Sequence, residues 1–223
     1  MPAFSLRSML TLVMAGGWIG ASTPAMANSK PDEILRIVFV GDSLTAGYGI
    51  AKEKSFPQLI EQKLQSELKQ QGSPVKLNLI NAGISGSTTA SALPRLKWQL
   101  RSKVKADIIV LALGGNDGLR GIKVASSKEN LRSAIQLAKQ EGIKVLLAGM
   151  QIPPNYGPEY TKAFREMFPA LAKSEQVALI PFLLKDVGGE EDKNLPDGSH
   201  PNEVVLQIIA ETVLTYLRPL IKK

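Results

Sequence analysis

The chain has 223 residues, of which 44% are hydrophobic, a composition that suits one globular domain with a sizeable core. It contains no cysteine, which excludes disulfides and thiol nucleophiles, and only one histidine, so His200 is the only imidazole available as a base near neutral pH. The net charge of +7 comes from scattered lysines and arginines without interleaved aromatics, which argues against a nucleic-acid partner but leaves weak contact with an anionic lipid surface open.

The first segment, residues 1–27, has the features of a secretory signal peptide. Its start is weakly positive, residues 9–20 are apolar and small, and Ala25-Met26-Ala27 has the small-x-small form of a cleavage site. The apolar stretch is about 12 residues long, whereas a membrane-spanning helix needs about 20. We therefore predict cleavage after Ala27, export to the periplasm or out of the cell, and a mature domain over residues 28–223. An uncleaved membrane anchor is the alternative.

Five short runs of apolar and β-branched residues predict strands. They are residues 37–40, 75–80, 108–113, 145–148 and 177–180. Longer segments with helical spacing lie between them. Continuous hydrophobic strands that alternate with helices predict an α/β fold, a three-layer α/β/α sandwich around a five-stranded parallel sheet.

Three helix starts are also predicted. Ser55 precedes a helix with Pro57 in its first turn. Residues 126–129, Ser-Ser-Lys-Glu, form a capping-box pattern for a second helix, which Gly142 ends. The last helix is expected to run from about Pro201.

The predicted strands are followed by polar, mostly glycine-rich loops. Right-handed crossovers bring the carboxyl ends of parallel strands to one edge of a sheet, where open α/β folds usually bind ligands. The functional site is therefore predicted in these loops, which are residues 41–49, 81–89, 114–121, 151–157 and, further along the chain, 197–202.

The first loop presents one hydroxyl, that of Ser43, in a tight turn flanked by glycines. A serine is a poor nucleophile until a base removes its proton, and the base works best when a carboxylate fixes its tautomer. Asp197 and His200 supply such a pair, although an isolated Asp-x-x-His is more often a surface histidine that caps a helix. Asp42 is interpreted as structural, because adjacent side chains on a turn rarely point at the same atom.

Two middle loops carry groups that can hold an oxyanion. The glycines of residues 81–89 let backbone N–H groups approach a substrate, and Asn116 offers a side-chain amide at the end of another strand. Simple turn chemistry also explains both loops, since Gly, Asn and Asp populate left-handed conformations. These two loops therefore support a catalytic site only because they occur together with Ser43 and His200.

Together, the blocks around Ser43, Gly86, Asn116 and His200 resemble the SGNH, or GDSL, hydrolase family. All four blocks stand in order, and the resemblance covers nearly the whole mature chain, from Val38 to the last helix. It implies a flavodoxin-like SGNH-hydrolase fold and a serine esterase. Position by position, it implies that Ser43 is the nucleophile and also lends its N–H to the oxyanion hole. It implies that Gly86 is the second backbone donor and Asn116 the side-chain donor. It also implies that His200 is the base and Asp197 its orienting partner.

Residues 114–121 and 154–157 are similar to the exported thioesterase, arylesterase and lysophospholipase branch of that family. This similarity implies hydrolysis of acyl esters and thioesters of small molecules or lipids without a metal or cofactor, and we expect a monomer. Leu119, Ile152 and Tyr156 are candidates for contact with an acyl chain. Ser87 stands where many relatives have an acidic residue, which bears on substrate preference.

Two other functions stay open at this point. A carbohydrate acetylesterase on the same fold would use the same residues on a different substrate. A non-catalytic flavodoxin-like binding module would cradle a phosphate in the first loop, and the pair of Asp197 and His200 would then be incidental.

Overall fold

The computed structural model describes residues 34–101, 105–187, 193–198 and 200–221. The predicted signal peptide, residues 1–27, lies outside the described residues, as does Ser199 in the loop that carries the predicted base. Within the described part, all strands belong to one parallel sheet. They are β1 (Ile34–Gly41), β2 (Lys76–Gly83), β3 (Ile108–Ala112), β4 (Lys144–Ala148) and β5 (Ala178–Ile180).

The described strands form a five-stranded sheet in the order β2-β1-β3-β4-β5, with every pairing parallel. This confirms the predicted sheet and gives it the flavodoxin-like order, in which the chain changes direction across the sheet next to β1. The central strand β3 is buried along its whole length, as its continuous apolar sequence requires.

Helices flank the sheet, as predicted. They are α1 (Ser43–Ala46), α2 (Phe56–Gln70), α3 (Ala92–Leu100), α4 (Gly115–Leu119), α5 (Val124–Gln140), α6 (Pro158–Glu175) and α7 (Glu203–Ile221). Helix α2 packs with α7, while α5 packs with both α3 and α6, so the helices form two layers. Short 3-10 turns lie at Lys52–Lys54, Thr89–Ser91 and Pro154–Tyr156.

The core joins strand residues to the inner faces of the helices. Phe39 of β1 meets Phe56 of α2 edge to face, with ring centroids 5.8 Å apart. Helix α7 is long and apolar enough, by length and composition alone, to cross a membrane. It buries residues such as Ile209 and Val213 against the domain, which is the pattern of a core helix.

Two of the predicted helix starts differ in detail. Ser55 does occupy the N-cap position of α2, but its hydroxyl donates to the Lys52 carbonyl rather than accepting from the helix. The last helix begins at Glu203, one residue after Asn202, whose side-chain oxygen accepts from the Val205 N–H at 3.1 Å.

The predicted capping box at residues 126–129 is wrong. Helix α5 begins at Val124, and Ser127 lies inside its first turns with its side chain fully buried. The Ser127 hydroxyl donates to Oδ1 of Asp117 at 2.9 Å, and the same carboxylate accepts from the Thr89 backbone N–H and hydroxyl. The N-cap of α5 is Lys123, three residues before the Ser126 at which the pattern places it, and Ser127 is buried in the helix by a tertiary hydrogen bond.

We expect Ser127→Ala to lower the free energy of unfolding by about 2 kcal/mol, because it removes a buried hydrogen bond to a carboxylate. Urea denaturation at neutral pH measures this change. Ser126→Ala is the matched control, since Ser126 is the exposed neighbour in the same helix and should change stability little. Equal losses in the two variants would contradict the buried role of Ser127.

Candidate active site

The candidate nucleophile sits where β1 ends. Asp42 caps α1, its Oδ1 accepting from the Leu44 N–H at 3.0 Å, and Ser43 is the first residue of that short helix. Gly47 ends the helix in the left-handed conformation, with φ of 76°. The chain thus makes a full helical turn immediately after the strand, which presents Ser43 at the carboxyl edge of the sheet and gives Asp42 the structural role inferred from the sequence.

This turn packs directly against the end of β2. A Cβ atom at Gly83 would overlap backbone atoms of Thr45 and Ala46, and a Cβ atom at Gly41 would overlap the Thr45 side chain. Asn81 reinforces the contact, because its Nδ2 donates to the Thr45 carbonyl at 2.8 Å. Glycine is therefore required at both strand ends for the turn to reach this position.

The structure brings Asp197 and His200 to Ser43. Nε2 of His200 lies 2.9 Å from Oγ of Ser43, although the two residues are 157 positions apart. Nδ1 of His200 lies 2.7 Å from Oδ2 of Asp197, and Oδ1 of the same carboxylate accepts from the His200 backbone N–H at 2.9 Å. An Nδ1–H that donates to Asp197 leaves Nε2 free to accept the serine proton.

Gly86 lies on the loop after β2 and Asn116 lies in the first turn of α4, and hydrogen bonds tie these two segments together. Gly86 has φ of 75° in a turn closed by a bond from the Ser87 N–H to the Ile84 carbonyl. Nδ2 of Asn116 donates to the Ser87 carbonyl at 3.0 Å, and since an amide nitrogen carries two hydrogens, this bond uses only one of them. Arg120 fixes the turn from the other side, because its Nη2 donates to the Gly86 carbonyl at 3.1 Å.

Arg95, which the sequence analysis did not single out, joins the first two loops. It lies on α3, and its Nη1 donates to the Gly41 carbonyl at 2.8 Å and to Oγ of Ser87 at 3.3 Å, while its Nη2 donates to the Ala82 carbonyl. Burial lowers the pKa of Arg95, and the nearby Asp42 opposes that effect. The guanidinium thus braces the strand end that carries the serine against the loop that carries Gly86.

Asp42 is almost fully enclosed, with 3% of its surface exposed. Burial raises the pKa of this carboxyl group to about 6, against an ordinary value of 3.8. The hydrogen bond from the Leu44 N–H, together with the charges of His200 and Arg95, pulls the pKa back down but does not cancel the cost of burial.

The three apolar candidates for acyl contact occupy different environments. Leu119 is 54% exposed, and the Tyr156 hydroxyl donates to its carbonyl at 3.0 Å. Ile152 belongs to the hydrophobic core instead, because its side chain packs against Gly118 where a Cβ atom would overlap it. Leu119 is therefore the exposed member of the three, Tyr156 is partly buried against the core, and Ile152 is buried. Among the described residues, no group of three or more His, Asp or Glu side chains is placed to hold a metal ion.

The chain is similar to known ester hydrolases. The model of the GDSL-like Lipase/Acylhydrolase family matches residues 39–205. Esterase TesA of Pseudomonas aeruginosa is 40% identical over 83% of this chain and 89% of its own. Thioesterase 1/protease 1/lysophospholipase L1 of Escherichia coli K12 is 35% identical over 83% and 84%. A crystal structure of TesA superposes with a TM-score of 0.75 and 41% identity, covering 83% of this chain and 99% of that one.

The raised pKa of Asp42 predicts a pH dependence of stability. The folded protein binds this proton more tightly than the unfolded chain does, so the stabilisation is complete below the ordinary value of 3.8 and is lost as the pH rises through about 6. Asp42→Asn keeps a capping side chain but does not titrate. Between about pH 3.5 and 7, we expect the unfolding free energy of the native protein to fall by about 3 kcal/mol relative to this variant.

Urea denaturation of both proteins across this range measures the difference. Parallel stability curves for the native protein and Asp42→Asn would contradict the raised pKa, since every other titrating group is shared.

Proposed function

Because the chain belongs to the GDSL-like Lipase/Acylhydrolase family and is an ester-hydrolysing enzyme, we propose that it cleaves acyl esters and thioesters through an acyl-enzyme on Ser43. The observation that carries the proposal is the distance of 2.9 Å between Nε2 of His200 and Oγ of Ser43, with Asp197 at the far side of the imidazole. Acyl transfer by a serine requires a nucleophile, a base in contact with it, and a carboxylate that orients the base.

In the first half of the reaction, Nε2 of His200 takes the Ser43 proton as Oγ forms a bond to the acyl carbonyl carbon. The carbonyl oxygen becomes negative and accepts hydrogen bonds from the N–H groups of Ser43 and Gly86 and from Nδ2 of Asn116. The tetrahedral intermediate then expels the alcohol or thiol, which leaves with the proton from His200. Asp197 stabilises the imidazolium throughout and keeps its own charge.

In the second half, water replaces the leaving group. His200 takes a proton from the water as its oxygen bonds to the acyl carbon, and the same three donors hold the second oxyanion. Collapse breaks the bond to Oγ of Ser43, which recovers its proton from His200, and a carboxylic acid is released. All proton transfers run through one imidazole, in agreement with a chain that has a single histidine.

We propose small-molecule and lipid esters as substrates, in particular aryl esters, acyl-CoA thioesters and lysophospholipids. The names of similar proteins support this range, since one is an esterase and another a thioesterase and lysophospholipase. The exposed side chain of Leu119 and the half-buried ring of Tyr156 offer apolar surface for an acyl chain.

We further propose that the enzyme works outside the cytoplasm as a monomer. The features of residues 1–27 support removal of a signal peptide after Ala27. The basic balance of the chain supports weak attraction to anionic lipid surfaces, where lysophospholipids occur.

We expect Ser43→Ala to lower kcat/KM on a p-nitrophenyl ester by at least about 10³-fold, because the acyl-enzyme can no longer form. Intact mass after treatment with a fluorophosphonate probe should show one adduct on the native protein and none on the variant. Ser126→Ala, which removes an exposed hydroxyl from α5, is the control and should keep both activity and labelling. Hydrolysis that survives in Ser43→Ala, or an adduct elsewhere, would contradict the mechanism.

A chain-length series of p-nitrophenyl esters tests the acyl surface. Leu119→Ser should lower kcat/KM for the octanoate about tenfold and leave the acetate within about twofold, because only a long chain reaches the lost apolar surface. Trp98→Ser is the matched control, an exposed apolar side chain nearer the C-terminal end of α3. Equal falls on both esters would contradict acyl contact, and a native preference for acetate with turnover of acetylated xylan would favour a carbohydrate acetylesterase.

A further inference from the structure

We propose that Tyr48 is a positioning residue for the base, holding the His200 imidazole in the plane in which Nε2 faces Ser43. The inference rests on the proposed function in taking Ser43 as the nucleophile and His200 as its base. It concerns a side chain five residues after Ser43 that takes no part in the bond changes described above.

The ring of Tyr48 lies against the imidazole. Their centroids are 4.5 Å apart and their planes are inclined by 36°. At this separation two aromatic rings attract each other, and a cation on one of them is favoured by the electron-rich face of the other. His200 becomes positively charged when it takes the Ser43 proton, so the contact gains strength as the reaction proceeds.

Tyr48 is anchored to the nucleophile itself. The carbonyl of Ser43 accepts hydrogen bonds from the N–H of Gly47 at 3.0 Å and from the N–H of Tyr48 at 3.1 Å. The left-handed conformation of Gly47 makes this pair of hydrogen bonds to one carbonyl possible. The ring that touches the base is therefore fixed relative to the backbone of the residue that the base must reach.

The neighbouring Gly49 brings the loop of the base close to this turn. Gly49 has φ of 72°, and a Cβ atom there would lie 2.7 Å from Cδ1 of Leu195. Leu195 is tied to the base, because its N–H donates to the His200 carbonyl at 2.6 Å. The turn after Ser43 thus contacts the His200 loop at two points, once through Leu195 and once through the Tyr48 ring.

Asp197 and Tyr48 restrain the imidazole in different ways. Asp197 at Nδ1 and Ser43 at Nε2 hold the edges of the ring, but hydrogen bonds that lie in the ring plane leave the ring some freedom to tilt out of that plane. A packed aromatic face removes this freedom. Among the described residues the Tyr48 hydroxyl makes no hydrogen bond and the side chain is 53% exposed, so the ring rather than the phenol oxygen carries the contact.

The test compares Tyr48→Phe, which keeps the ring, with Tyr48→Leu, which keeps apolar bulk without it. Untagged protein has one histidine, so its imidazole C–H signals in a 1H–13C NMR spectrum at fixed pH need no assignment. We expect Tyr48→Phe to match the native kcat within about twofold and to retain the ring-current shift. Tyr48→Leu should lower kcat for p-nitrophenyl acetate about fivefold at similar KM and move the imidazole signals downfield.

Trp98→Leu, which removes an exposed aromatic ring from α3, should change neither measurement. Native kcat and unmoved imidazole signals in Tyr48→Leu would overturn the proposal. A raised KM with unmoved signals would overturn it as well, by showing that Tyr48 meets the substrate instead. The NMR comparison needs no turnover, so a failure of the Ser43 mechanism in its own test is distinguishable from a failure of the Tyr48 contact.

Discussion

The close approach of two backbones, made possible by Gly41 and Gly83, is the constraint on which the rest of the site depends. Without side chains at these strand ends, α1 packs directly onto the end of β2, and Ser43 reaches the edge of the sheet beside the Gly86 loop. The bond from the Ile84 N–H to the Gly41 carbonyl, at 3.1 Å, closes the same corner. The position of Ser43 relative to the Gly86 loop is thus set by the ends of two neighbouring strands rather than by flexible side chains.

Two charged side chains, those of Asp42 and Arg95, lie close to Ser43 at this corner. Asp42 is buried and Arg95 is partly buried, and both bond mainly to the backbone: Asp42 accepts from the Leu44 N–H, and Arg95 donates to two backbone carbonyls and to the Ser87 hydroxyl. Burial shifts both pKa values towards the neutral form, and the field of each charge on the other opposes that shift without cancelling it. The protein accepts this cost in order to fix two loops that carry the proposed reaction.

The fold and the approach of His200 to Ser43 could be predicted from the sequence, because most strand centres are apolar runs and the candidate site residues stand in polar, mostly glycine-rich segments. The start of α5 could not be predicted, because the helix extends before Ser126 and buries Ser127 against Asp117, and no local pattern reveals that tertiary bond. Arg95 and Tyr48 were missed for the same reason: a helix arginine and a turn tyrosine look ordinary until the fold brings them against carbonyls and an imidazole. Ile152 was a candidate for contact with an acyl chain, but its side chain fills the space that Gly118 leaves in the core.

Ser43 and His200 stand 157 positions apart in the chain. Synthesis runs from the amino end, so a growing chain acquires Ser43 well before His200. Until the segment around His200 has emerged and docked, the Ser43 hydroxyl has no imidazole beside it. Under the proposed mechanism, a nascent polypeptide that lacks this segment is therefore inert towards acyl esters, and hydrolysis begins only once the His200 loop has docked.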